Sequence, residues 1–260
     1  MSLAVSHEDV QQHRFHYAQP AGDTGWINHY FGQMKHVTGK NPAIDTARTE
    51  DIHLEVCDEI YPVAFLVAQD PGHTLGIHFH QADQFQVVLP CDGKFGKAPI
   101  EQPIVHFAAA CSPYGPLTSG AEVLKYYTLR NGYDPGACFL PATRPEQFRR
   151  GRKPRSAHEK VPHRANAPIT SLEINAVMPK DDTGLFATYV RLPPGAMLEG
   201  ADPKTGRGQY WLVLSGSCTA NEKELDVEGL CFVKPDDAPL NVRGGIEGAA
   251  LIAMQFPRFS

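Results

Sequence analysis

Short apolar runs, separated by turn residues, dominate the chain from residue 61 onward. The runs are rich in Val, Ile, Phe and Tyr, and Gly, Pro, Asp and Asn lie between them. Runs of this length and composition predict β-strands, because helices need longer periodic segments. They are PVAFLVAQ, TLGIHF, QFQVVLP, PIVHFAAA and VLKYYTL in the first half, and LFATYVRLPPG, QYWLVLSGSCTA, GLCFVKPDD and AALIAMQFP in the second.

Two polar segments interrupt this pattern. Residues 1–47 read as a polar leader with loop-like stretches, and a short helix is predicted at Glu8–Tyr17. Residues 142–168 carry many Lys and Arg side chains and few acidic ones. Such a segment is typical of a solvated linker, and its alternative interpretation is an anion-binding or docking segment.

The strand-rich halves repeat one another in order. PVAFLVAQDPG corresponds to FATYVRLPPG, DQFQVVLP to GQYWLVLSG, and HFAAACSPYGP to LCFVKPDDAP, so that Gln84 and Gln209 take the same place. A repeat this long indicates two copies of one β domain. The sequence therefore predicts an all-β protein of two tandem jelly-roll barrels.

Composition narrows the functional classes. The chain has 260 residues, a formal net charge of −5 and 42% hydrophobic residues. The acidic balance argues against nucleic acid as the main partner, and no apolar run is long enough for a membrane-spanning helix. The N-terminus lacks a signal pattern and the six cysteines form no close pair, so we expect reduced thiols and a cytoplasmic protein.

Two histidines carry the candidate chemistry. Alternate side chains of a strand share a face, so His78 and His80 would project together into the first barrel. If Gln84 points inward from the next strand, its amide oxygen can be a third ligand of the same cation. His106, on a later strand, is the candidate for a fourth. The alternative is that these side chains only hydrogen-bond within a polar barrel interior, and that His106 is structural.

These residues resemble the motifs of the cupin superfamily. Gly72 is followed after five residues by the H-x-H pair His78 and His80, and then by Gln84 where the family has Glu. Pro113-Tyr114-Gly115 matches the P-x-G of the second motif, but Thr118 stands where the family has histidine. The second copy, around Gln209, keeps the spacing and has no histidine.

The resemblance implies a bicupin, with two double-stranded β-helix barrels. Residues 48–141 would form the metal-binding barrel and 169–260 a barrel without metal-ligand histidines. It also implies a divalent metal (Fe, Mn, Ni or Zn), and because Gln84 is neutral we expect a small, anionic substrate. The expected activity is dioxygenase-like, on an oxygenated organic acid or ketone. A non-catalytic binding or sensory protein and a metal-dependent lyase or isomerase are the alternatives, and a homodimer is expected by analogy.

Three further side chains are candidates for catalysis in the first barrel. An inward-facing Tyr114, Tyr126 or Arg130 could orient a bound anion or act as an acid or base. Tyr126 and Tyr127 are neighbours on a strand and face opposite sides, so at most one of them can reach the interior.

Overall fold

A computed structural model of the chain describes residues 3–18, 23–32, 59–145 and 153–258. The chain divides into two compact units, one of residues 13–160 and one of residues 1–12 with 161–260. We call the first unit the N-terminal barrel and the second the C-terminal barrel.

The regular structure of the described residues is almost entirely β. The described residues include a short α-helix, α1 (His7–Gln11), and a 3-10 helix (Pro203–Thr205). The strands of the C-terminal barrel are β1 (Leu3–Val5), β15 (Glu173–Met178), β16 (Phe186–Leu192), β17 (Met197–Glu199), β18 (Gln209–Ala220), β19 (Lys223–Leu225), β20 (Leu230–Val233) and β21 (Asn241–Gln255). Those of the N-terminal barrel are β2 (Arg14–Ala18), β3 (Thr24–Phe31), β4 (Val63–Gln69), β5 (Thr74–Leu75), β6 (His78–Phe79), β7 (Gln84–Val88), β8 (Lys94–Phe95), β9 (Ala98–Pro99), β10 (Ile104–Ala108), β11 (Leu117–Thr118), β12 (Leu124–Arg130), β13 (Cys138–Phe139) and β14 (Ser156–Lys160).

The N-terminal barrel is built on a seven-stranded antiparallel sheet in the order β14-β10-β7-β12-β4-β3-β2. A four-stranded sheet, β5-β11-β8-β9, and the pair β13-β6 accompany it. The predicted strand Thr74–His80 is interrupted at Gly76 and Ile77, so its two ends belong to different sheets. The second end, β6, carries His78.

The inner face of the large sheet changes character along its strands. Its middle is apolar and packs around Val67, Val88, Ile104 and Tyr126. Because every second residue shares a face, the same face continues along β12 from Tyr126 to Arg130. Register places Arg130 opposite Gln84, so the barrel interior becomes polar at this end.

The C-terminal barrel has an apolar interior. Its sheet runs in the order β1-β20-β18-β21-β16-β15, with β17 and β19 pairing with the long strands β21 and β18. The buried cluster inside it includes Trp211, Val213, Cys231, Val233 and Leu251. Burial of these side chains from water is what stabilises this barrel.

The first residues of the chain belong to the C-terminal barrel. Strand β1 pairs antiparallel with β20, which places Leu3 opposite Phe232. Helix α1 then begins with a capping box between Ser6 and Asp9, and its Val10 is fully buried. The backbone hydrogen bonds of β1 cover the free edge of β20.

Two sequence-based expectations need correction here. The helix predicted at Glu8–Tyr17 ends at Gln11, and strand β2 follows. In β2 the side chains of Phe15 and Tyr17 pack inward, while Arg14 and His16 are exposed. Inward and exposed side chains thus alternate from residue to residue, as in a strand, and this pattern outweighs the weak helical one.

The expected boundaries at residues 48, 142 and 169 also differ from the observed units. Residues 13–32 contribute β2 and β3 to the N-terminal barrel, so the segment is not a separate leader. Residues 156–160 of the expected linker form β14 and pair with β10. Local polarity concealed both segments, because β2 and β14 are the edge strands of the sheet and expose polar side chains.

The described part of the chain contains no helix that is both long and apolar enough to cross a membrane. Its cysteines, Cys91, Cys111, Cys138, Cys218 and Cys231, are free thiols, and Cys57 lies outside the described residues.

Replacement of Leu225 by Ala tests the apolar core of the C-terminal barrel. The side chain is 1% exposed, and its truncation should lower the free energy of unfolding by about 2–5 kcal/mol. Chemical denaturation measures this loss. Leu172→Ala is the matched control, because Leu172 is 47% exposed and should change stability by less than about 0.5 kcal/mol. Equal effects of the two changes would contradict the assigned core.

Candidate functional site

The polar end of the N-terminal barrel forms around the paired backbones of His78 and Tyr114. The His78 amide donates to the Tyr114 carbonyl at 3.2 Å, and the Tyr114 amide donates to the His78 carbonyl at 3.0 Å. Gly115 follows with a φ of +99°, a conformation that favours glycine. The P-x-G segment therefore turns sharply beside the histidine and holds the tyrosine against it.

A directed chain of hydrogen bonds connects Arg130 to His78. Arg130 Nε donates to Gln84 Oε1 at 2.8 Å, and Gln84 Nε2 donates to Tyr114 Oη at 2.6 Å. The tyrosine hydroxyl therefore has its proton available for His78 Nε2, 3.0 Å away. His78 Nδ1 lies 2.7 Å from the Gly76 carbonyl, which can only accept. The chain fixes the amide orientation of Gln84 and the Nδ1–H tautomer of His78.

His80 is held by a carboxylate on one side and a guanidinium on the other. Its Nδ1 lies 2.7 Å from Asp134 Oδ2, so it donates there. Arg130 Nη2 lies 3.1 Å from His80 Nδ1 and 3.2 Å from His80 Nε2, so the guanidinium lies against the imidazole ring and not in line with the Nε2 lone pair. Arg130 Nη1 is 3.3 Å from the same Asp134 oxygen. Two backbone amides, of Gln81 and Gly136, also donate to Asp134. The carboxylate therefore orients both the imidazole and the guanidinium.

All of these side chains are buried, and burial sets their protonation. Burial lowers the pKa of His78 to about 3, with His80 and Arg130 acting in the same direction. Burial, followed by the Arg130 charge, lowers the pKa of His80. Burial alone would raise the pKa of Asp134, but His80, Arg130 and the hydrogen bonds hold it well below its usual range. The site thus contains two neutral imidazoles and one ion pair.

Apolar groups surround the polar cluster. The guanidinium carbon of Arg130 lies 5.4 Å from the ring centre of Phe65. The ring of Phe139 lies 5.5 Å from that of His78. Water is thereby restricted around the ion pair, which strengthens the electrostatic interactions within the cluster.

His106 lies on the other side of the Tyr114 ring. The ring centres of His106 and Tyr114 are 4.8 Å apart. His106 Nδ1 lies 3.2 Å from Gln86 Oε1, to which it donates, and its Nε2 lies 2.9 Å from the Ser156 hydroxyl. The His106 nitrogens are therefore engaged by other partners than His78, His80 and Gln84.

Tyr126 lies outside the hydrogen-bonded cluster. It belongs to the apolar cluster and is paired in register with Val88 and Val67. Burial, with the charges of Asp23 and Tyr114 adding to it, raises the pKa of its phenol well above the usual value. Tyr127, on the opposite face, stacks with Tyr30. The structure thus brings together His78, His80, Gln84, Tyr114 and Arg130, and places Tyr126 and His106 beside them.

Sequence reasoning missed Asp134 and the residues of β14. Asp134 lies four residues beyond Arg130, in a loop that follows β12, where a charged residue is ordinarily solvated. The only sign of it in the sequence is that it follows Arg130, whose position in the alternation of β12 predicts an inward-facing side chain. Ser156 and His158 lay in the expected linker, and no pattern distinguished them from its other polar residues.

The C-terminal barrel shows what the same positions look like without charges. Gln209 is paired with Gln255 in the register in which Gln84 is paired with Arg130. Gln209 Nε2 donates to Gln255 Oε1 at 2.8 Å, so a neutral amide takes the place of the guanidinium. Trp211 and Cys231 likewise stand where the N-terminal barrel has Gln86 and His106.

The donor atoms fit a divalent metal only in part. Both histidines present Nε2 lone pairs, their Nδ1 atoms are anchored as is usual for metal ligands, and their ring centres are 5.2 Å apart. However, two of the expected ligand atoms already accept a hydrogen bond, Gln84 Oε1 from Arg130 and His78 Nε2 from Tyr114, and the Arg130 guanidinium lies against the His80 ring. Within the described ranges, no three His, Cys, Asp or Glu side chains are grouped to hold a metal.

The positive charge of Arg130 also disfavours a bound metal ion. An ion bound to His80 Nε2 at about 2.1 Å would lie within about 5 Å of Arg130 Nη2. At an effective dielectric constant of about 20, the repulsion between a dication and the guanidinium at that distance is about 7 kcal/mol. Asp134, on the far side of the imidazole, offsets only part of it. With Arg130 in place, the site does not fit a resident divalent cation.

Comparison with known proteins supports the fold. No protein-family model and no curated protein matches the chain. Among solved structures, it is similar to the pirin YhhW of Escherichia coli in complex with nickel(II), with 10% identity, 100% of each chain covered and a TM-score of 0.56. It is similar to a putative dioxygenase of Nostoc punctiforme PCC 73102, with 12% identity, 99% of this chain and 83% of that one covered, and a TM-score of 0.57.

A third similar structure is a variant of the oxalate decarboxylase of B. subtilis, with 10% identity, 99% of this chain and 78% of that one covered, and a TM-score of 0.55. All three are cupin proteins, so the expected cupin fold is confirmed. Identities this low establish the fold, and one fold serves many unrelated functions.

The buried histidines predict a specific loss of stability in acid. Burial, with His158 adding to it, lowers the pKa of His106 to about 3 from an ordinary value of 6.5. Between these values the unfolded chain binds the proton and the folded chain does not. The free energy of unfolding should therefore fall as the pH is lowered through this window, by up to about 1.4 kcal/mol per pH unit for each such histidine.

Denaturation curves recorded between about pH 7 and pH 4 measure this effect. His106→Gln should have a shallower pH dependence than the wild type, because one of the contributing imidazoles is gone. His16→Gln, which makes the same substitution at an exposed histidine, is the matched control variant. If the free energy of unfolding depends on pH equally steeply in His106→Gln and in the wild type, His106 is not a buried, neutral imidazole.

Proposed function

We propose that the N-terminal barrel binds a small oxygenated organic acid at its polar end, with Arg130 as the charge partner. Tyr114, His78 and His80 would supply the polar groups around it. The observation that carries the proposal is the buried ion pair of Arg130 and Asp134, 6% and 3% exposed, in which Arg130 stands where the repeat has the uncharged Gln255.

The internal repeat argues that this charge is not required by the fold. Gln255 is hydrogen-bonded to Gln209 at the same distance of 2.8 Å as Arg130 to Gln84, although Gln255 accepts this bond and Arg130 donates the other. Burying an ion pair costs free energy, and uncharged side chains of similar volume often stabilise a protein as well or better. A charge kept where an amide suffices is therefore a candidate for function.

The geometry favours an anion with two oxygens. Asp134 accepts from His80 at 2.7 Å and from the Gln81 amide at 2.8 Å, and its contact with Arg130 is longer, at 3.3 Å. The carboxylate is thus mainly committed to groups other than the guanidinium. A guanidinium binds a planar carboxylate through parallel N–H bonds.

The C-terminal barrel would be a structural or dimerisation module. Its interior is filled by apolar side chains such as Trp211, Val213 and Leu251. Its buried Gln209 and Gln255 are hydrogen-bonded to each other and carry no charge. The expected homodimer remains a prediction.

Arg130→Gln tests the proposal, because it recreates the Gln–Gln pair of the C-terminal barrel. Pyruvate, oxalate, glycolate and acetoacetate are the probes, and calorimetry with a thermal-shift assay measures their binding. A lost charged hydrogen bond should weaken the binding of at least one of them by about 10- to 100-fold. Lys125→Gln removes an exposed charge from the same strand and should keep wild-type affinity. Binding of none of the probes, or equal affinity in Arg130→Gln, would contradict the proposal.

A metal-dependent, dioxygenase-like enzyme is the second candidate. The observation in its favour is that both histidines expose Nε2 lone pairs while Gly76 and Asp134 anchor their Nδ1 atoms. It requires Arg130 and Tyr114 to withdraw from these nitrogens. Iron, manganese, nickel or zinc are the ions expected for such a set, and a lyase or isomerase would use the same ligands.

Metal analysis and oxygen uptake test this second candidate. If it holds, the purified wild type carries about one metal per chain and consumes oxygen with a diketone or a catechol. The double variant His78→Ala, His80→Ala then loses both properties and keeps the β fold, as circular dichroism would show. The candidate is excluded if the metal content of the wild type and of the double variant is the same.

A further inference from the structure

We infer that the guanidinium of Arg130 takes the place of the metal ion in this barrel, so that the ligand is held by a fixed organic cation. The inference rests on the first proposed function and specifies how its ligand is recognised. The geometry that carries it is the position of one side chain between the atoms expected to bind a metal.

Arg130 lies beside two of the three expected ligand side chains. Its Nε donates to Gln84 Oε1 at 2.8 Å, and its Nη2 lies 3.1 Å from His80 Nδ1 and 3.2 Å from His80 Nε2, against the imidazole ring. Tyr114, itself hydrogen-bonded to Gln84, covers the third side chain at His78 Nε2, 3.0 Å away. A cation in this position supplies the positive charge that a metal would bring, without coordination bonds.

The exchange of Gln for Glu at position 84 agrees with this arrangement. A carboxylate there would neutralise the guanidinium directly, through the bond at 2.8 Å that the amide now accepts. With a neutral amide, the counter-charge comes from Asp134 at 3.3 Å, on the side shared with His80. The departures from the metal-binding motif therefore match a site arranged around arginine.

The chemical class of the ligand follows from the geometry of the guanidinium. A metal prefers ligands that chelate it, such as catecholates and enolates, because they occupy two coordination positions. A guanidinium instead offers parallel N–H groups whose spacing matches the two oxygens of one carboxylate. We therefore expect the barrel to select monocarboxylates, such as pyruvate or glycolate, over catechol and acetylacetone.

Nickel(II) and cobalt(II) titrations of the chelator-treated protein test the inference directly. The wild type should bind either ion no more tightly than the double variant His78→Ala, His80→Ala. Removal of the charge in Arg130→Gln should increase affinity by about 100-fold or more, with a cobalt spectrum typical of histidine ligands. The increase should disappear when His78→Ala is added. Lys125→Gln makes the same change in net charge and should bind like the wild type.

The inference is overturned if the wild type binds one ion per chain through His78 and His80, or if Arg130→Gln gains no affinity. The wild-type titration needs no variant, so misfolding of Arg130→Gln cannot leave the question open. Pyruvate binding by the metal-free wild type distinguishes failure of this inference from failure of the proposed function. A metal-binding wild type that still requires Arg130 for pyruvate refutes only the inference, whereas absence of all carboxylate binding refutes the proposed function.

Discussion

A buried guanidinium, fixed by three side chains, determines the character of the N-terminal barrel. Arg130 contacts Gln84, His80 and Asp134, and these contacts in turn set the tautomers and orientations of the neighbouring groups. An unpaired charge in this position would be strongly destabilising, so Asp134 must stay ionised for the barrel to be stable. The hydrogen bonds of the other polar side chains are arranged around this ion pair.

The two barrels share a fold and differ in what fills them. One has a polar end formed by His78, His80 and Arg130, and the other has an apolar interior formed around Trp211 and Leu251. The strand register around Gln84 and Arg130 matches that around Gln209 and Gln255, so at these positions the two barrels differ in their side chains. The polar groups buried in the N-terminal barrel carry a cost in free energy that the apolar cluster of the C-terminal barrel does not.

Much of the fold could be predicted from the sequence. The alternation and length of the apolar runs predicted the strands, and their order predicted the tandem repeat. The N-terminal segment could not be assigned, because the pairing of β1 with β20 joins positions more than two hundred residues apart. Strand β14 was likewise concealed, since an edge strand with exposed His158 and Lys160 is as polar as a linker.

The residues of the site could be predicted better than the contacts that they make. Motif spacing and strand alternation identified His78, His80, Gln84, Tyr114 and Arg130 as candidates. Neither could show that Arg130 would lie between the expected ligand side chains, because that depends on how β12 registers against β7 and on the contacts of Asp134 in the loop after β12. A hydrogen bond between side chains of different strands has no signature in a single sequence.

A crystal structure of the wild type grown with nickel(II), with anomalous data collected at the nickel edge, tests the central claim most directly. The account predicts no anomalous peak between His78 and His80, with the Arg130 guanidinium still bonded to Gln84 and His80. A peak within bonding distance of both Nε2 atoms, with Arg130 turned away, would contradict it.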